Sequence, residues 1–195
     1  MNVTEFLSSV NLTDVLVVLV LFGFFILGFI QGTVRRVVGI LSIVFSFFLA
    51  AQLHVPLGEF LGDNWSQFPR EYAAMIGFLT VFVAAVVAFS LVIQGTYRKA
   101  PLFAKYPVVD EIIGGVLGVI QGFLLLMFVM IILDQFFLLT NFPVDEDELP
   151  FLRGFWDMIN SSGTGDLLHS QLIPNFVSLT SFLLPDTIKQ LYGIG

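Results

Sequence analysis

Charged side chains along this chain stand in small groups separated by long apolar runs. Asp14 and Arg35 enclose residues 15–34, Arg36 and Glu59 enclose 37–58, Glu71 and Arg98 enclose 72–97, and Glu111 and Asp134 enclose 112–133. Each window holds at least 20 residues, and a helix needs about 20 to cross a hydrocarbon core of roughly 30 Å. The runs are continuous and show no period-two alternation, so they predict helices and not barrel strands. The expected fold is an all-α integral membrane protein with four transmembrane helices. They cover about 14–32, 37–53, 72–95 and 112–133, stretches without proline.

The pattern changes after Asp134. Residues 1–135 form the expected transmembrane domain, and 136–195 an extracytoplasmic tail with short amphipathic helices. Asp145, Glu146, Asp147 and Glu148 lie between Pro143 and Pro150. Leu152, Phe155, Trp156 and Ile159 then recur at i, i+3, i+4 and i+7, with Arg153 and Asp157 opposite. Ser161 to Gly165 reads as a loop, and Pro174 can open a last helix on which Phe176, Leu179 and Leu183 share a face. Two readings stand equally open: the helices lie on the outer membrane face, or they pack back on the bundle. Phe155 and Trp156 are the candidate partner contact.

Composition narrows the class. The chain is 57% hydrophobic and 12% charged, with a mean hydropathy of +0.95, whereas a soluble domain carries about 25% charged residues. That excludes an ordinary soluble globule. The net charge of −7 argues against nucleic acid as a partner. Without cysteine there is no disulfide, thiolate metal site or cysteine nucleophile.

Arg35, Arg36, Arg98, Lys99 and Lys105 gather in the first and third loops. The positive-inside rule therefore puts those loops in the cytoplasm, with Arg35, Arg36, Arg98 and Lys99 as cytoplasmic anchors and both termini outside. The leader before the first span carries no positive charge, so that span reads as retained and not as a cleaved signal.

Gly114, Gly118 and Gly122 follow one another at four-residue spacing, and Gly28 and Gly32 repeat that spacing at the end of the first helix. Such glycines let another backbone approach closely, so these five are the expected helix-packing positions. Gly39, Ser42, Ser46 and Ala50 make a small face on the second helix, and Gly77, Thr80, Ala84 and Ala88 one on the third. Gln121 is the most polar residue deep in a span, a candidate interhelical or pore contact. Asp14 reads first as a helix N-terminal charge. Ile30-Gln-Gly-Thr recurs as Ile93-Gln-Gly-Thr 63 residues later; two similar helix stops explain this more simply than a duplicated unit. His54 and His169 fall outside the expected spans and outside any metal-ligand spacing. No catalytic constellation is visible, and neither an enzyme, a cofactor nor a metal is expected.

Gly28-Phe-Ile-Gln31-Gly32-Thr-Val-Arg35-Arg36, with Asp14 opening its helix, resembles the G-x-x-R-G-x-x-R-E pattern of the colicin V production protein family. Asp110-Glu-Ile-Ile-Gly114-Gly-Val-Leu-Gly118-Val-Ile-Gln121-Gly122 is similar to that family's D-x-x-x-G-x-x-x-G-x-x-R-G. The likeness covers residues 12–135, with a looser one in the tail. Gln31 and Gln121 stand where the family more often has a basic residue, and Arg36 where it often has Glu. The resemblance implies a bacterial inner-membrane protein of four helices, acting in toxin production or export or in the cell envelope. On this reading it is a structural or accessory component with a membrane or envelope protein partner or a homo-oligomeric state; the alternative is an oligomeric pore or transporter.

Overall fold

The computed structural model describes residues 11–64, 70–96, 102, 105–138 and 150–193. Among these there is no strand. Four helices are long and apolar enough to cross a membrane: α1 (Leu12–Gln31), α2 (Thr33–Asn64), α3 (Arg70–Thr96) and α4 (Pro107–Phe137). The chain is an all-α membrane protein.

Local chemistry sets the helix ends. Asn11 caps α1, its Oδ1 accepting the Thr13 N–H at 3.0 Å. Gly32, at φ +78°, stops α1 in a conformation other residues rarely adopt, so α2 starts at the next residue. Pro107 opens α4, where a missing N–H costs nothing.

α1 has 20 residues, about 30 Å of helix and so one hydrocarbon thickness. α2 has 32 and α4 has 31, each about 17 Å longer than that. Beginning level with the end of α1, α2 clears the core after about 20 residues. Its stretch from His54 to Asn64, with Pro56 inside, therefore projects beyond the expected end at residue 53. His54, expected outside the helix, is buried in it and stacks on Phe78 at 4.9 Å.

In cross-section the order is α1, α4, α2, α3: α1 packs on α4, α4 on α2, and α2 on α3. Aromatic rings fill the centre. Phe47 lies on Phe128 at 4.3 Å, with Phe78 at 6.0 Å and Phe82 at 6.4 Å. Because α3 supplies Phe78 and Phe82 to this core, the small residues Thr80, Ala84 and Ala88 turn outward. The two Ile-Gln-Gly-Thr copies also differ, since Gly95 lies inside α3 with open space around it.

The tail folds as α5 (Pro150–Asn160), α6 (Gly163–Leu167), a π-helical turn (Leu168–Leu172), α7 (Ile173–Thr180), a 3-10 turn (Ser181–Leu183) and α8 (Asp186–Leu191). It packs back on the bundle. Ile159, Leu168, Ile173, Val177, Leu184 and Ile188 are buried and join the main core. The wide π turn gives a five-residue step from Leu168 to Ile173, then a four-residue step to Val177. That phase splits the predicted face: Phe176 sits 5.1 Å from Phe128, while Leu179 is 78% exposed.

Candidate functional site: a buried carboxylate beneath the tail

Asp134 occupies the last turn of α4, where a negative charge meets the negative end of the helix dipole. It is also fully buried, at 0% exposure. Such a carboxylate needs donors from elsewhere, and the tail supplies three. Trp156 Nε1 donates to Oδ1 at 2.7 Å, while His169 Nε2 and Tyr192 Oη donate to Oδ2 at 2.8 and 2.7 Å. They come from α5, the π turn and the end of α8, so one carboxylate ties three tail elements to a membrane helix.

His169 Nδ1 is also engaged, 3.0 Å from the Gly165 carbonyl. A carbonyl and a carboxylate both accept, so both ring nitrogens face acceptors, an arrangement that favours the protonated ring. The hydrogen bond to Asp134 raises the His169 pKa above its ordinary value, against an opposing effect of burial. Burial first, then the Asp134 charge, pushes the Tyr192 hydroxyl up, so it remains a donor.

A second clasp holds the tail to α1. Asp14 accepts from Gly163 N at 3.1 Å, Thr164 N at 2.8 Å and Thr164 Oγ1 at 2.6 Å. It thus serves the start of α6 as well as its own helix. Asn11 Nδ2 donates to the Ser161 carbonyl at 2.8 Å. Gln135 Nε2 reaches Thr187 Oγ1 at 3.3 Å.

At the opposite end the two glycine segments meet. A side chain on Gly28 would strike the Gly114 carbonyl, and one on Gly118 the Phe24 carbonyl. Gly122 lies under Leu21 and Phe24. Asp110 is buried beside the Gly32 hinge; its Oδ2 accepts from Thr33 N at 3.4 Å and its Oδ1 from Leu102 N at 3.0 Å. Thr33 Oγ1 returns a bond to the Asp110 carbonyl at 3.0 Å. Asp110 therefore supports the start of α2 from another helix.

Arg36 Nη1 donates to Gln121 Oε1 at 2.6 Å, so two of the positions that depart from the family pattern touch one another. Arg36 is turned into the bundle and buried, while Arg35 is half-buried. Arg98, Lys99 and the acidic residues 145–148 lie outside the described residues. Phe155 and Trp156 face inward: Phe155 packs against the core, and Trp156 rests on Phe137 at 5.3 Å. Phe151 is the most exposed large apolar residue of α5, at 82% exposure.

Sequence reading missed Asp134, using it only to close a window. Its signal was an acid at the C-terminal end of an apolar helix, where the dipole disfavours one. The donors were not legible, because Trp156, His169 and Tyr192 are 22, 35 and 58 positions away.

No curated protein and no solved structure matches the chain. The family described as colicin V production protein matches residues 13–179, which takes in the Gly32 hinge, the glycine contact between α1 and α4, the Arg36–Gln121 pair and most of the docked tail. With the match running through all of these elements, the chain belongs to the colicin V production protein family.

Proposed function

We propose that this protein is a structural or accessory component of a bacterial inner membrane, holding or regulating an assembly for envelope maintenance or for toxin production and export. Both termini face outward on this reading, because residue 12 and the tail share one end of the bundle and the basic first loop lies at the other. The observation that carries it is the docked tail. Trp156, His169 and Tyr192 are spent on Asp134, and Asp14 holds the start of α6. The folded tail leaves the large apolar residues Phe151, Leu179 and Phe182 exposed among polar ones such as Asp157, Asp166 and Asp186. A rigid platform of this kind suits a membrane or envelope protein partner, or a second copy of the chain, better than it suits catalysis.

The alternative is a pore made of several copies. The rings around Phe47 and Phe128 fill the centre of one bundle, while the outward line of Thr80, Ala84 and Ala88 on α3 could carry contacts between copies. Native mass spectrometry of the protein, gently extracted from its own membrane, separates the two. A stoichiometric foreign subunit supports the accessory reading. A ring of identical chains without one supports the pore, and liposome flux altered by Gln121→Leu would then be expected.

A further inference from the structure

At the end of the bundle opposite the tail, α1 and α3 flank a cleft of about 150 Å³. Leu27 and Gln31 line it from α1, Ser90, Ile93 and Gln94 from α3, and Arg35, Arg36 and Gly39 from α2, with Gln121 reaching in from α4. The cleft follows from the packing order: α1 rests on α4 and α3 on α2, leaving a gap between them. It has room for about five waters, or for one phosphate group with its nearest water.

The lining is unusual for a membrane helix bundle. Two guanidinium groups, three carboxamides and a hydroxyl gather there, and among the described residues no carboxylate lines the cleft. Arg36 is only 4% exposed, and its Nε is buried without a hydrogen-bond partner. A buried guanidinium N–H left unmatched is costly, which calls for an acceptor outside the described chain. Gln121 Oε1 accepts from Arg36 Nη1 and makes no bond to Nε. Its amide nitrogen, lying over Gly39, adds a further donor. Gly39 keeps the space between them open, since a Cβ there would lie 3.2 Å from Gln121 Nε2.

Depth identifies the source of the missing acceptor. α1 covers about one hydrocarbon thickness, and Gln31 is its last residue. Gln31 and Arg35 therefore stand at one edge of the hydrocarbon core, within side-chain reach of a leaflet's phosphates, and Arg36 lies just inside them. We propose that this cleft binds the phosphate group of an anionic phospholipid, with Arg36 as the buried donor and Arg35 and the carboxamides completing the shell. The acyl chains would leave sideways past Leu27 and Ile93. A bound lipid would then brace α1 against α3.

The test uses the full-length protein in a neutral detergent and native mass spectrometry. Dioleoyl phosphatidylglycerol is titrated against wild type, Arg36→Gln and Gln94→Leu, with dioleoylglycerol as the phosphate-free probe. Inorganic phosphate is the soluble competitor. One phosphatidylglycerol per wild-type chain is expected, with at least tenfold weaker binding by Arg36→Gln and a smaller loss in Gln94→Leu. Gln94 is exposed, so its variant keeps the test valid if Arg36→Gln does not fold. Binding unaffected by millimolar inorganic phosphate assigns the site to a lipid headgroup. Displacement at that concentration keeps the phosphate site but overturns the lipid as its source. Equal binding by wild type and both variants, or equal uptake of dioleoylglycerol, overturns the site itself.

Discussion

The ring of His169 bridges Asp134 and the Gly165 carbonyl, at 2.8 Å through Nε2 and 3.0 Å through Nδ1, an arrangement that favours its cationic form beside a fully buried carboxylate. The tail is thus fastened to the membrane bundle by a charge pair as well as by apolar packing. The pair stands near the end of a helix that overshoots the hydrocarbon core, where protein and not lipid surrounds it. Trp156 and Tyr192 complete the shell around the carboxylate.

Asp134→Asn should release the tail. It removes the counter-charge of His169 and leaves donors facing one another, at a cost of about 3 kcal/mol, the lower end for breaking a buried pair because His169 keeps an open edge. Limited proteolysis in detergent should cut between residues 150 and 193 much faster than in wild type. Unchanged protection would show that apolar packing alone holds the tail.

The same pair predicts a pH dependence. His169 has a folded pKa raised above its unfolded value of about 6.5. Its contribution is therefore complete below about pH 6.5 and is lost as pH rises through the folded value. Protection factors of α5 and α7, referenced to the intrinsic exchange rate at each pH, should fall on the alkaline side in wild type, and His169→Gln should flatten that dependence. A His169→Gln profile that keeps the wild-type slope would assign the pH effect to another group.

Glycine contacts give the sharpest contrast. Gly118→Ala places a methyl against the Phe24 carbonyl, and should destabilise by about 1–3 kcal/mol. Gly23→Ala on α1 has open space around it, and should be neutral or stabilising by up to about 1 kcal/mol through helix propensity. Thermal unfolding in one detergent measures both. A similar change in the two variants would mean that close approach does not govern these positions.

Gly32→Ala combines a left-handed φ with a collision at the Asp110 carboxylate. A loss of about 2 kcal/mol is expected, in the range for strain at a sparsely populated conformation. Deleting the carboxylate with Asp110→Ala in the same chain should not restore wild-type stability, because the backbone strain persists and the Thr33 N–H loses its acceptor. Full recovery in the double variant would place the whole cost in the collision.

Phe128→Ala removes the ring stacked 4.3 Å from Phe47, and a loss of about 3–5 kcal/mol is expected for a large aromatic in a closed core. Thermal unfolding alongside Phe22→Ala, whose ring is exposed on α1, distinguishes core packing from general loss of apolar surface. Equal shifts would contradict a filled centre.

Four spans, their order and the glycine faces of α1 and α4 were legible along the chain. Membrane insertion depends on local quantities, namely twenty apolar residues without charge and small residues at helical spacing, and these are written in consecutive positions. The overhang of α2 past residue 53 was not, because a helix beyond the hydrocarbon core no longer needs an apolar sequence. The outward turn of Thr80, Ala84 and Ala88 was decided by competition for the core, which Phe78 and Phe82 win by volume. Amphipathic spacing predicted helices in the tail yet left two surfaces for it, lipid and bundle. Only the folded chain chose the bundle, where Asp14, read as a helix-end charge, and Asp134, used only to close a window, accept the tail's donors. Arg36 and Gln121 are 85 positions apart; each is an isolated polar residue in sequence, and their pairing exists only once α2 lies along α4.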